Sequence, residues 1–123
     1  MTKHNVTIGH LGENIALQSA GQKGMRQIGR NVRTPFGEID LILVQQDTIV
    51  FAEVKTRTSD KFGYPEEAVT KTKLEHMMLS AQYYMEENNL TNPWRIDIVA
   101  VSYDPRLQTA TDLKWMENVT GDL

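Results

Sequence analysis

Apolar residues recur along the chain with two different periods, and the changes of period mark out the elements. Between residues 7 and 22, Ile8, Leu11, Ile15 and Ser19 return at helical spacing with Ala16 and Ala20 beside them. This predicts a helix over 7–22, capped by Thr7 and ended by Gly21 and Gly24. A strand follows over 25–33, weakened by Gly29. The strongest strand signals are residues 37–45, "GEIDLILVQ", and 48–56, "TIVFAEVKT". Residues 56–65 read as a polar loop, and Pro65 suits the first turn of a helix. A longer helix is predicted over 71–88, with Leu74, Met77, Met78, Ala81 and Met85 on one face and Thr72 and Glu75 at capping-box spacing. "NNLTNP" breaks it. Residues 94–103, "WRIDIVAVSY", form a further strand, and 104–112 a turn or loop. The tail from Leu113 to Val119 fits a strand or a short helix. No repeat, linker or low-complexity stretch interrupts the order, which predicts one mixed α/β domain over residues 1–123.

Charge disturbs this pattern in one place. Glu38, Asp40, Glu53 and Lys55 lie inside the two strands that are otherwise built for burial. A hairpin with Gln46 and Asp47 in its loop pairs Gln45 with Thr48, Val44 with Ile49 and Ile42 with Phe51. Continued outward, it sets Asp40 opposite Glu53 and Glu38 opposite Lys55, with Asp40, Glu53 and Lys55 on one face. Carboxylates directly opposite each other, about 4.5–5.5 Å apart at Cβ, repel. Burial then adds a desolvation penalty or shifts a pKa until one acid is neutral. Lys55 offsets part of this, and a divalent cation is the other compensation. Oxygen ligands without cysteine suit Mg²⁺ or Mn²⁺. A solvated strand end at a sheet edge is the competing explanation.

Composition narrows the classes. The chain has 123 residues, enough for an unstapled core. It contains no cysteine, which removes disulfides, thiol catalysis and thiolate metal sites. No apolar run approaches a membrane span and the first residues lack a signal-peptide core, so a cytoplasmic, membrane-free protein is expected. Net charge is −3, no advertisement for nucleic acid. Yet residues 1–63 carry eight Lys/Arg against six Asp/Glu, and residues 64–123 five against ten. Among the basic residues, Arg33 and Arg57 flank the open end of the hairpin. Lys73 starts the long helix, where the helix dipole disfavours a cation. All three are candidate phosphate contacts, and each is equally explained as surface charge. His4, His10 and His76 lack ligand spacing, Tyr83 and Tyr84 read as core and rim, and Asp97 is expected to pair with Arg95 in a buried salt bridge. No phosphate-binding glycine loop, dinucleotide fingerprint, zinc helix or nucleophile elbow occurs.

"GEIDLI" followed by "FAEVKTR" resembles the core of the PD-(D/E)xK nuclease superfamily. More closely, the chain resembles the YraN family of bacterial proteins, described as predicted endonucleases and similar in their core to archaeal Holliday-junction resolvases. "GENIA" at 12–16, "RNVRTPFGEIDLI" at 30–42, "FGYPEEAVTKTK" at 62–73 and "RIDIVAV" at 95–101 extend the likeness over residues 8–101. The resemblance implies a restriction-endonuclease-like mixed sheet of four or five strands flanked by helices. It implies metal-binding carboxylates at Asp40 and Glu53, a catalytic Lys55, and Glu13 joining the site from the first helix as a further catalytic and metal-binding acid. It also implies Mg²⁺ or Mn²⁺ as cofactor and DNA, in branched or recombination-related form, as the partner of a homodimer. Ile39 stands where the superfamily has proline, and Ala20 and Gln27 depart from apolar slots; these touch packing, not the four site positions. The expected function is metal-dependent phosphodiester hydrolysis. The alternative is a nucleic-acid-binding or accessory protein whose nuclease site is weak or depends on a partner.

Overall fold

The computed structural model describes residues 2–58 and 69–121, residues 2–7 through their backbone alone. Helix α1 (Thr2–Gln22) leads into β1 (Met25–Thr34), β2 (Gly37–Gln45) and β3 (Thr48–Arg57); α2 (Lys71–Glu87) precedes β4 (Trp94–Asp104) and β5 (Thr109–Met116). The five strands form one sheet in sequence order. All neighbours are antiparallel except β3 and β4, which run parallel. That parallel pair requires a crossover, and α2 lies within it. The expected mixed α/β architecture, a five-stranded mixed sheet flanked by helices, is the one found.

The helices cover opposite faces. Ala16 and Ala20 of α1 pack on Leu41, Leu43, Val50, Ala52, Val99 and Val101. Ala81 and Met85 of α2 pack on Ile42, Ile49, Phe51 and Ile96. The central strands are therefore buried on both sides, which explains their nearly continuous apolar runs. On the α1 side contact is close: a Cβ on Gly12 would collide with the Thr56 hydroxyl. Only glycine lets the helix approach β3 there, and Glu13 follows immediately.

Several local expectations change. The first helix begins at Thr2, so Thr7 is no cap; no glycine or proline in residues 2–6 stops the helix earlier. The cap of α2 is Thr70, not Thr72. Thr70 is extended (φ −104°, ψ 166°) and its hydroxyl accepts from the Lys73 N–H at 3.2 Å. Thr72 is already helical, so its spacing to Glu75 has no capping meaning. Residues 113–116 are strand, and β5 starts at Thr109, inside the segment read as turn or loop. The N-terminal role of Pro65 lies outside the described residues. The predicted Asp97–Arg95 pair is present at 3.0 Å.

Candidate active site

The β2–β3 register is the one the pattern required, from Gln45 opposite Thr48 to Leu41 opposite Ala52. Gln46 accepts a left-handed φ of 55° to make the turn, and the Asn92 side chain ties down the Asp47 carbonyl. The ladder then stops, one pair before Asp40 would face Glu53. The cause is Asp40 itself: its Oδ2 accepts the Val54 N–H at 2.8 Å, putting a carboxylate where a backbone carbonyl would be. The expected direct oppositions of Asp40 with Glu53 and Glu38 with Lys55 are therefore replaced. Glu38 turns instead to Arg33, at 3.8 Å across to β1.

The opened strands hold a compact group of charges. Lys55 Nζ lies 3.1 Å from Glu53 Oε2, both largely shielded from solvent. Burial, then the charge of Glu53, push the Asp40 carboxyl up to about 7; Glu13 adds to this, against the Val54 N–H and Lys55. Burial disfavours the Lys55 ammonium, but a hydrogen bond with Lys73 and the Glu53 charge outweigh it and hold Lys55 above its ordinary value. Lys73 is pushed below its ordinary value by that same hydrogen bond and by the charge of Lys55. The misplaced cation at the head of α2 thus belongs to the site, beside Lys55.

Glu13 reaches Asp40 from the α1 side and is itself buried, 8% exposed. Arg30 Nε donates to its Oε1 at 2.9 Å and Asn31 Nδ2 to its Oε2 at 3.0 Å. Adjacent strand residues normally point to opposite faces; the left-handed φ of 51° at Asn31 lets both reach one carboxylate. Sequence reasoning did not single out this pair. The signal available was an asparagine inside a strand, a residue that tolerates positive φ. Arg33 is almost wholly exposed and bound to Glu38, and Arg57 ends β3 half-buried. Among the described residues, no ion pair joins either to Asp40 or Glu53.

What this arrangement holds can be judged from its donors. Among the described residues, no group of three or more acids and histidines is set to enclose a metal ion. Both Glu13 oxygens are already engaged. Asp40 and Glu53 remain, a pair with mutual repulsion and Val54 as Asp40's backbone donor. Mg²⁺ characteristically takes one or two carboxylates and keeps water or substrate phosphate for its other positions. Two carboxylates whose repulsion a cation relieves fit that chemistry.

The residues forming this site lie within a recognised family. The model of the uncharacterised protein family UPF0102, the YraN family, matches residues 12–101. The chain belongs to UPF0102. A UPF0102 protein of Shewanella frigidimarina is 38% identical over 109 residues, covering 89% of this chain and 94% of the relative. One of Vibrio parahaemolyticus is 36% identical over 117 residues, covering 94% and 93%. A Caldicellulosiruptor saccharolyticus UPF0102 protein is 42% identical over 95 residues, covering 76% and 80%. The UPF0102 match begins at Gly12, the glycine of the close α1–β3 contact, and ends at Val101 in β4. It includes Glu13, Asp40, Glu53, Lys55 and Lys73. Membership establishes kinship; the chemistry has to be argued from the site.

Proposed function

We propose that this chain is a metal-dependent DNA endonuclease that hydrolyses phosphodiester bonds where β2 and β3 part, acting on branched or recombination-related DNA. The supporting observation is the convergence of Asp40, Glu53 and Lys55 at a deliberate break in the ladder. Without a ligand this arrangement destabilises the fold: a partly buried acid beside a second acid, with its carboxyl displaced to about 7. Asp40 and Glu53 would hold Mg²⁺ or Mn²⁺. Such an ion polarises a phosphoryl oxygen and lowers the pKa of coordinated water. Lys55, kept cationic beside Glu53, supplies positive charge where the transition state gains negative charge. Glu13, fixed by Arg30 and Asn31, stands behind Asp40 and sustains the demand for a cation. Lys73, beside Lys55 in the cleft lining, offers N–H donors to incoming phosphate, with Arg33 and Arg57 as more distant backbone contacts. A four-way junction presents two symmetric cuts, which this function assigns to a homodimer.

The test is cleavage of labelled single-stranded, duplex, flap and four-way-junction DNA with Mg²⁺ or Mn²⁺. Wild type should cut, while Asp40→Ala and Lys55→Ala should not, with folding checked by circular dichroism. Cutting that survives both substitutions would remove the proposed site. A second reading, a DNA-binding or accessory protein without turnover, is favoured by the net charge of −3 and by the ion-pairing of Arg30 and Arg33 within the fold. It expects salt-dependent DNA binding with no cleavage in any metal.

A further inference from the structure

A cleft of about 200 Å³ lies between the β1–β2 turn and α2, with Glu53 of the carboxylate group in its lining. Glu38, Lys73 and His76 also line it, and its apolar walls are Phe36, Ile39, Phe51 and Met77. Phe36 is 43% exposed, so one edge of this aromatic wall is open to a ligand. It is also held in place. Its ring meets Tyr83 edge-on, with centroids 6.4 Å apart. Its backbone N–H donates to the Thr34 hydroxyl at 3.1 Å, and that hydroxyl is hydrogen-bonded to the Ser80 hydroxyl of α2 at 2.9 Å. The turn is thus tied to the helix across the cleft, and the aromatic rim is set before anything binds.

The lining combines two chemistries. Cationic Lys55, with the Lys73 amine beside it, suits a phosphate, while the apolar and aromatic walls suit a flat apolar surface. A ligand with a phosphate joined to a planar heterocycle matches both. We propose that this cleft receives one unstacked nucleobase adjoining the phosphate to be cleaved, so that the substrate is DNA with unpaired or displaced bases, not regular duplex. The proposal rests on the phosphodiesterase reading of the neighbouring carboxylates and adds to it the structural class of DNA. A base stacked and paired within duplex enters such a cleft only at the cost of unpairing and unstacking. A base at a flap, junction or single strand is already free to leave the stack, and aromatic side chains then hold it without regard to sequence.

Binding is measured by fluorescence anisotropy with a labelled 15-nucleotide single strand and the corresponding duplex, in EDTA and again in Ca²⁺. Wild type is expected to favour the single strand. Phe36→Ala should weaken single-strand binding roughly tenfold and leave duplex binding unchanged, and Phe36→Trp, which keeps an aromatic face, should restore it. A 2-aminopurine base placed in the single strand should be quenched by wild type and not by Phe36→Ala. Equal affinity for both DNAs, no binding to either, or single-strand binding indifferent to Phe36→Ala would overturn the proposal. Its fate is separable from that of the nuclease. Phe36-dependent binding without cleavage keeps the cleft and removes the enzyme, whereas cleavage of duplex and single strand alike, indifferent to Phe36, does the reverse.

Discussion

Asp40 does two jobs with one carboxylate, and they pull in opposite directions. Accepting the Val54 N–H favours the ionised form, while burial and Glu53 disfavour it more strongly. The folded-state value of about 7 lies above the ordinary 3.8, so the native protein binds this proton more tightly than the unfolded chain. The resulting stabilisation is complete below about pH 4 and is lost as pH rises through about 7. In metal-free buffer the Asp40 contribution should therefore make wild type less stable at pH 8 than at pH 5. Asp40→Asn, which can still accept from Val54, should flatten that dependence and raise stability at pH 8 by about 1–3 kcal/mol, read from urea midpoints. Mg²⁺ or Mn²⁺ requires the deprotonated acid, so either ion should raise Tm more at pH 8 than at pH 5 in wild type, and not in Asp40→Asn. A metal shift unchanged by that substitution would separate the ion from this carboxylate.

At the scale of elements, the site depends on how closely α1 lies against β3. Gly12 makes the approach feasible and places Glu13 next to Arg30 and Asn31. Gly12→Ala should force α1 outward against Thr56, at a cost of about 1–3 kcal/mol, and suppress cleavage although residue 12 touches no substrate. Adding Thr56→Ala, which removes the hydroxyl in the way, should recover part of the lost Tm. These consequences could not be read from "GENIA", where Gly12 resembles a helix-weakening residue. The hairpin shows the complementary case. Alternation and turn length dictated its register as far as Leu41 opposite Ala52, because a one-residue slip would turn every apolar side chain outward. Past that pair, a side chain to backbone bond replaced the ladder, and period alone carries no information about such a bond.

Across the whole molecule, β4 is locked to β5 by a second buried charge, Asp97, which lies in register with Ala52 of β3. Asp97 is fully buried and binds Arg95, the Trp115 indole N–H at 2.8 Å and the Asn118 N–H at 2.9 Å. It joins β4 to β5 and to the chain beyond. Asp97→Ala should leave Arg95 with only the Glu117 carboxylate, 3.9 Å away, and cost about 3–5 kcal/mol, measured by denaturant unfolding. With the fold retained at low temperature, DNA binding should persist, since Asp97 binds Arg95, Trp115 and Asn118 and none of the site residues. No helix among the described residues is long and apolar enough to cross a membrane.

The sequence by itself determined the order of strands and helices as far as β4, the hairpin register up to Leu41 opposite Ala52 and the unusual concentration of charge in Asp40, Glu53 and Lys55. Those follow from periods of two and 3.6, which reflect local backbone geometry and burial. It also exposed the odd placement of Lys73, though not its cause. Only the tertiary structure decided that Lys73 sits against Lys55, that Glu38 answers Arg33, and that Glu13 is held by Arg30 and a left-handed Asn31. It alone set Phe36 on the rim of a cleft. Each of these joins residues from different elements, at distances fixed by packing and crossover, and no local pattern in a chain encodes a distance of that kind.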